Sequence, residues 1–258
     1  MTGALLALAL AASSHATELH VRWVTVADGL PSNATTGLAQ DDDGYLWIGG
    51  PGTVARYDGQ AVRSWRVPGT SAWEVREIAP VEHGVVLRQN NDAVWFLEEA
   101  GGLEALPGPD GESLHARGLA VDGGGHLVVA RSDGLWRWDA PRWSRILVDV
   151  AGREPVRVDT ADGGLFVGTR AGWYRVPDGG EPVLLAEGRY PSTAIEVPGS
   201  PPWLLFDRPL RATRPDGVQD LTTSHVYAFG GAVHEGALWF GPSGGLTVVH
   251  DDGRIEAL

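Results

Sequence analysis

Cysteine and lysine are both absent from the 258 residues, and methionine occurs once. Without Cys there is no disulfide framework, no thiolate nucleophile and no Cys-ligated zinc or iron–sulfur site. Without Lys there is no Schiff-base chemistry and no Walker-type phosphate loop. All 20 basic residues are therefore Arg, against 33 acids, giving a formal net charge of -13. That balance argues against nucleic acid as a partner, because such binding needs a basic footprint. Long apolar runs are also missing. The longest, Ala4–Ala12, has nine residues, too few to span a bilayer, so no membrane span is expected in this chain.

What is abundant is Gly, with 36 residues, Pro with 17 and Trp with 11. That many chain punctuators suit short strands and turns better than helices. The hydrophobic content of 43% is that of a globular protein.

The N-terminus reads as an address. Ala4–Ala12 has the length of a signal-peptide core, and Ser14-His15-Ala16 supplies small residues where a signal peptidase cuts. Residues 1–16 are therefore expected to be a signal peptide, and residues 17–258 a periplasmic domain. No basic residue precedes the apolar run, so the terminal amine is its sole positive charge there.

The body repeats itself. The unit is an Asp/Gly turn, an apolar strand, a short turn and a second apolar strand. Clear copies are DDDGYLWIGGPGTVARYDG from Asp41, DGGGHLVVARSDGLWRWD from Asp122, DGGLFVGTRAGWYRVPD from Asp162 and EGALWFGPSGGLTVVHDDG from Glu235. Weaker copies begin at His83 and Pro198. Anchored on Trp47, Val86, Val128, Phe166, Leu204 and Trp239, the copies recur every 35 to 42 residues. That period belongs to four-stranded propeller blades, and the short apolar runs exclude helical repeats. The fold class expected is all-β: a β-propeller of about six four-stranded antiparallel blades, or six of a seven-bladed ring. Blades are expected at about 27–70, 71–110, 111–150, 151–190, 191–222 and 223–258. In the first, strands are expected at Thr35–Gln40, Tyr45–Gly49, Val54–Tyr57 and Val62–Val67. Trp47, Trp95, Trp136, Trp138, Trp173 and Trp239 fall on expected strands, as filling between sheets.

His20–Val26 is an extra strand before the first blade and a candidate to close the ring in the last one. Arg254–Leu258 competes for the same slot. The chain stops without a capping device, which reads as a ring or receptor cut short.

The segment Ala27–Gly59 resembles the two-component regulator propeller repeat. The match runs through Asp28-Gly29-Leu30-Pro31-Ser32-Asn33, Asp43-Gly44, Leu46-Trp47-Ile48-Gly49 and Arg56-Tyr57-Asp58-Gly59. Gly50-Pro51 and Thr53-Val54 depart from the family pattern. Later copies keep fragments, among them Asp133-Gly134-Leu135, Gly168-Thr169 and Leu238-Trp239-Phe240-Gly241. The resemblance implies a periplasmic sensor propeller. In that family it is followed by further blades, a membrane helix and a histidine kinase or diguanylate cyclase. It implies signal transduction through a small-molecule or oligosaccharide ligand, with homodimerisation open. The alternative is a propeller enzyme acting on sugars or lactones. Gly236-Ala237-Leu238-Trp239-Phe240 is similar to streptogramin-lyase repeats.

Propellers bind ligands at one mouth of their channel. Four of the six turns between second and third strands carry Arg: Arg88, Arg131, Arg170 and Arg208. A ring of guanidinium groups would take an anionic ligand. The repeated acids, Asp41–Asp43, Asp122, Asp162, Asp178, Asp216 and Asp251–Asp252, read as turn residues. They lack the alternating spacing of a calcium loop. His83, His126 and His234 occupy equivalent turn positions, and no HExxH or HxxxH pair occurs. No metal, no cofactor and no catalytic set are therefore expected.

Overall fold

The computed structural model describes residues 24–257, apart from segments at 70–71, 99, 162–163, 178–179, 198–199, 208–210, 215–220, 223–227, 235–236, 243–246 and 251–254. The expected signal peptide and Arg208 lie outside the described residues.

Six four-stranded antiparallel sheets form, each with its strands in chain order. The first holds β1 (Gly37–Gln40), β2 (Leu46–Gly50), β3 (Thr53–Tyr57) and β4 (Val62–Arg66). The second holds β5 (Val75–Val81), β6 (Gly84–Gln89), β7 (Val94–Glu98) and β8 (Leu103–Ala105). The third holds β9 (Gly118–Val121), β10 (Leu127–Arg131), β11 (Gly134–Asp139) and β12 (Arg142–Leu147). The fourth holds β13 (Pro155–Ala161), β14 (Gly164–Thr169), β15 (Gly172–Val176) and β16 (Val183–Glu187). The fifth holds β17 (Pro191–Val197), β18 (Ser200–Phe206), β19 (Arg211–Thr213) and β20 (Leu221–Thr222). The sixth holds β21 (Ala228–His234), β22 (Ala237–Pro242), β23 (Thr247–Val249) and β24 (Ile255–Ala257). All six repeat anchors lie on the second strand of a sheet.

The first strands β1, β5, β9, β13, β17 and β21 touch in succession, and β21 touches β1. The sheets therefore close as a six-bladed propeller, with first strands around the channel. The expected closing strand is not formed where it can be followed. Val24 and Thr25 are irregular, and Val26–Asp28 is a 3-10 turn; residues 20–23 lie outside the described residues. A capping box explains the turn: Asp28 accepts the Thr25 N–H at 2.9 Å, and the Thr25 hydroxyl oxygen accepts from Ala27. β24 pairs with β23 and fills the fourth slot of the last blade.

The core is a set of seams rather than one centre. Trp47 and Val54 pack against Val85, Leu87 and Leu97 of the next blade. Val86 meets Leu119, Leu127 and Val129, and Val128 meets Val158, Leu165 and Val167. Phe166 and Trp173 face Ala194, Leu204 and Phe206, and Trp203 and Leu205 face Leu238 and Val249. A large side chain buried this way contributes about 1.5–3 kcal/mol, but only when the neighbouring blade is present. Trp173 also donates its indole N–H across the seam to the Leu205 carbonyl at 2.9 Å. At the first seam the sheets approach so closely that a Cβ on Gly49 would lie 2.5 Å from the Val75 carbonyl oxygen.

Candidate functional site

The repeat register builds the channel. Opposite the anchors Trp47, Val86, Val128, Leu204 and Trp239, the first strands carry Ala39, Ala79, Ala120, Ala194 and Ala232. Opposite Phe166 the fourth blade carries Asp159 instead. Two residues before these positions stand Gly37, Glu77, Gly118 and Arg157 in the first four blades. Small residues keep a propeller axis narrow, and blades 2 and 4 interrupt them with charge.

These charges form one network. Glu77 accepts from Arg88 Nη2 at 2.5 Å and from Arg157 Nη1, and its other oxygen accepts the Leu119 N–H at 2.8 Å. Arg157 also lies 3.3 Å from Asp159, and Asp159 accepts the Ala194 N–H at 3.0 Å. Blades 2, 3, 4 and 5 are thus stapled around the axis. Gly118 makes the span possible: a Cβ there would sit 2.8 Å from the Val158 nitrogen and 3.1 Å from the Arg157 Cα.

Electrostatics divides the two carboxylates. Burial would raise the pKa of Glu77, but Arg157 and then Arg88 outweigh it and hold it below its ordinary value. Burial dominates at Asp159, whose contacts to Arg157 are longer and which feels the Glu77 charge; its pKa is pushed up to about 6. The geometry agrees, since Glu77 accepts from two guanidinium groups whereas Asp159 meets Arg157 alone. Arg157 stays charged, its pKa raised despite burial by Asp159 and Glu77.

Asp159 and Thr160 sit within a cavity of 720 Å³ that runs up the channel. Its mouth is made by the hairpins between first and second strands, at Asp41–Tyr45, Glu82–His83 and Gly124–Gly125. The Asp41 hairpin is held rigidly: one carboxylate oxygen accepts the Tyr45 N–H at 2.8 Å and the other the Trp47 indole N–H at 2.7 Å. Arg56 covers the Tyr45 ring, 4.4 Å from its centroid. His83 holds a left-handed backbone, φ 70, at the rim. The mouth is acidic, with Asp41, Asp42, Asp43 and Glu82 against Arg56.

The arginines expected from the sequence stand at the other end of the second strands. Arg88 pairs with Glu77 and with Asp92 at 3.1 Å. Arg131 pairs with Asp110 at 2.8 Å and Asp133 at 3.0 Å. Arg170 is exposed in the turn after β14. Arg88 and Arg131 are spoken for by carboxylates, and neither lines the channel cavity. The residues of the repeat motif act structurally. Gly29 is left-handed, φ 106, and Leu30 is buried. Pro31 is exposed in the turn that follows. Asp43 and Gly44 form the hairpin tip, and the Tyr57 hydroxyl donates to the Gly59 carbonyl at 2.6 Å. Asp58 accepts the Gln60 and Ala61 N–H groups at 2.8 and 2.7 Å. Trp239 and Gly241 lie on β22. Sequence reasoning missed Glu77, Arg157 and Asp159. Their signal was a charged residue where the other copies carry Gly, Ala or Ser.

Among the described residues, no group of three or more His, Asp or Glu could hold a metal ion. Nor is any helix there long and apolar enough to cross a membrane.

Residues 29–52 match the family described as two component regulator propeller. No curated protein sequence matches the chain significantly. Among solved structures, it is similar to a B. thetaiotaomicron protein described as the extracellular domain of a hybrid two component system. The TM-score is 0.70 at 15% identity, covering 92% of this chain and 36% of that one. It is also similar to virginiamycin B lyase from Staphylococcus aureus, with TM-score 0.65, 14% identity and coverage of 87% and 84%. A gluconolactonase from Xanthomonas campestris gives TM-score 0.54, 18% identity and coverage of 70% and 73%. At these identities the likenesses speak for the fold. Within the first blade of this six-bladed propeller, the residues that match the two component regulator propeller are those leading into and forming β1 and β2.

Proposed function

We propose that this chain is the ligand-binding propeller of an extracytoplasmic signalling receptor, exported to the periplasm by residues 1–16. The observation that carries this is a coincidence of repeat and cavity. The segment matching the two component regulator propeller, 29–52, supplies one wall of the channel mouth, from Gln40 to Trp47. The similar B. thetaiotaomicron structure, described as an extracellular two component domain, supports the same setting. The ligand class follows from the lining. Four acids at the mouth and Asp159 within would repel an anion and suit the hydroxyl groups of a neutral oligosaccharide end. The half-buried Tyr45 ring offers a flank for a sugar face.

The test is calorimetric titration of the full chain with neutral oligosaccharides, compared with Asp42→Ala and Glu82→Ala. Both residues are exposed, so the fold should persist. Loss of binding by about tenfold or more is expected. Binding that ignores both substitutions would refute the mouth as the site. A reading frame continuing beyond Leu258 into a kinase or cyclase would bear on the receptor assignment.

One observation favours a second reading, an enzyme acting on sugars or lactones. Asp159, with a pKa of about 6 inside a cavity, has the poise of a general acid or base. The fold likeness to a lyase and a gluconolactonase is compatible with it. Turnover of a lactone that is abolished by Asp159→Asn would select this reading.

A further inference from the structure

A concentration of positive charge that the channel does not use lies at the opposite end of the propeller from the acidic mouth. A cavity of 550 Å³ there is lined by Arg153, Glu154, Val156, Arg170 and Ala171. It sits where the chain passes from blade 3 to blade 4, beside the turn after β14. Both arginines stand on rigid turns. Val150 and Arg153 exchange backbone hydrogen bonds of 2.9 and 3.1 Å, closing a two-residue turn through Ala151 and Gly152. Both central residues are left-handed, φ 51 and 73, and Ala151 is not a residue that adopts that conformation readily. Fully buried Val150 anchors one side of this turn, and Asp149 accepts the Gly152 N–H at 2.6 Å. Arg170 stands on the turn Arg170-Ala171, pinned by buried Thr169, whose hydroxyl oxygen accepts the Ala171 N–H at 3.1 Å.

The charges do not balance. Glu154 is bonded to Arg117 at 2.7 Å. Arg117 and then Arg170 hold the Glu154 carboxyl below its ordinary pKa. Arg153 and Arg170 make no side-chain hydrogen bond or ion pair among the described residues. Arg117 and Arg170 thus both bear on Glu154, and the Asp149 carboxylate of the same turn is taken up by the Gly152 N–H, in a chain of net charge -13 where acids outnumber bases.

We propose that this pocket is a second binding site, separate from the channel mouth, which takes the oxyanion of a small ligand between Arg153 and Arg170. A planar carboxylate or a tetrahedral sulfate or phosphate would accept paired hydrogen bonds from the two forks. Glu154 is the internal competitor that the anion must outbid. Titration of the full chain with sulfate, phosphate and acetate, at ionic strength matched with chloride, tests the site and separates the three oxyanions.

Saturable binding of at least one is expected. R153Q/R170Q should weaken it by about tenfold or more, and E154Q should strengthen it several-fold by removing the competitor and freeing Arg117. All these side chains are on exposed turns, and a thermal melt checks that the variants stay folded. Glu82→Ala at the acidic mouth should leave oxyanion binding unchanged, so failure here is distinguishable from failure of the proposed function. No saturable binding, or binding that is the same in R153Q/R170Q and E154Q as in the parent, overturns the proposal.

Discussion

Replacing Glu77 with Gln should be among the most damaging single-atom-scale changes available in this chain. Its side chain is 8% exposed and meets two guanidinium groups, of which Arg88 is 11% and Arg157 22% exposed. Gln keeps the shape but removes the charge that both arginines were desolvated to meet. Arg88 is left with Asp92, whose side chain is 46% exposed, and Arg157 with Asp159 at 3.3 Å. Breaking a buried ion pair from one side costs about 3–5 kcal/mol, much of it the orphaned charge. Gln can still accept the Leu119 N–H, so the lower end, about 3 kcal/mol, is the expected loss. For a domain of this size that corresponds to a fall in melting temperature of about 10 °C. The pH dependence has a defined sign. Glu77 has a lowered pKa in the fold, so its contribution is present above its ordinary value of 4.5 and is lost as pH falls through the folded value. The gap between parent and E77Q should therefore be full at pH 7 and shrink in acid. Urea unfolding followed by Trp fluorescence at several pH values gives both quantities. A double-mutant cycle with Arg157→Met should show coupling of about 1 kcal/mol or more. An E77Q protein within about 0.5 kcal/mol of the parent at pH 7, with no coupling to Arg157, would refute the idea that this network staples the blades.

Asp159 should behave in the opposite way. Its folded pKa is raised to about 6, so its ionisation works against the fold and stability is lost as pH rises through that value, by about 3 kcal/mol in total. Asp159→Asn should match the parent near pH 4 and exceed it near pH 8; parallel stability curves would count against the assignment. Gly118→Ala should destabilise by about 1–3 kcal/mol, since its Cβ meets the β13 backbone at 2.8 Å. An unchanged unfolding midpoint would mean that β9 and β13 can part freely. Trp47→Phe removes the indole bond to Asp41 and should cost about 1–2 kcal/mol in urea unfolding. If the Asp41 hairpin shapes the mouth as described, the same variant should also weaken saccharide binding.

The repeating part of this structure could be read from the chain because each blade solves the same problem with the same residues. The four strands expected in the first blade fall within two residues of β1 to β4. Trp47, Val86, Val128, Phe166 and Leu204 are buried at equivalent positions because each must fill one seam. At Val24–Val26, the described end of the extension, the chain turns, because Thr25 and Asp28 satisfy its backbone locally. Nothing in apolar alternation reports such a turn. The arginine turns illustrate a different limit. Arg88 and Arg131 stand at matching places in the repeat, but their partners do not. Glu77 reaches Arg88 through strand pairing, and Asp110 reaches Arg131 from a connection 21 residues away. Whether a guanidinium is free or paired depends on such neighbours, which a repeat alignment averages out.

That averaging suggests where chemistry should be sought in a propeller of this kind. The alanines facing five of the six anchors have been fixed by the need to pack blades around an axis. They are silent about ligands. Positions at which one copy departs carry the information. Asp159 replaces an alanine, and Glu77 and Arg157 stand in line with Gly37 and Gly118. Each departure desolvates a charge, at a cost the fold could have avoided by repeating its own pattern. The three departures meet each other along the channel, and Asp159 opens into its 720 Å³ cavity. A departure that merely drifted would have no reason to find its counter-charge in a blade two positions away.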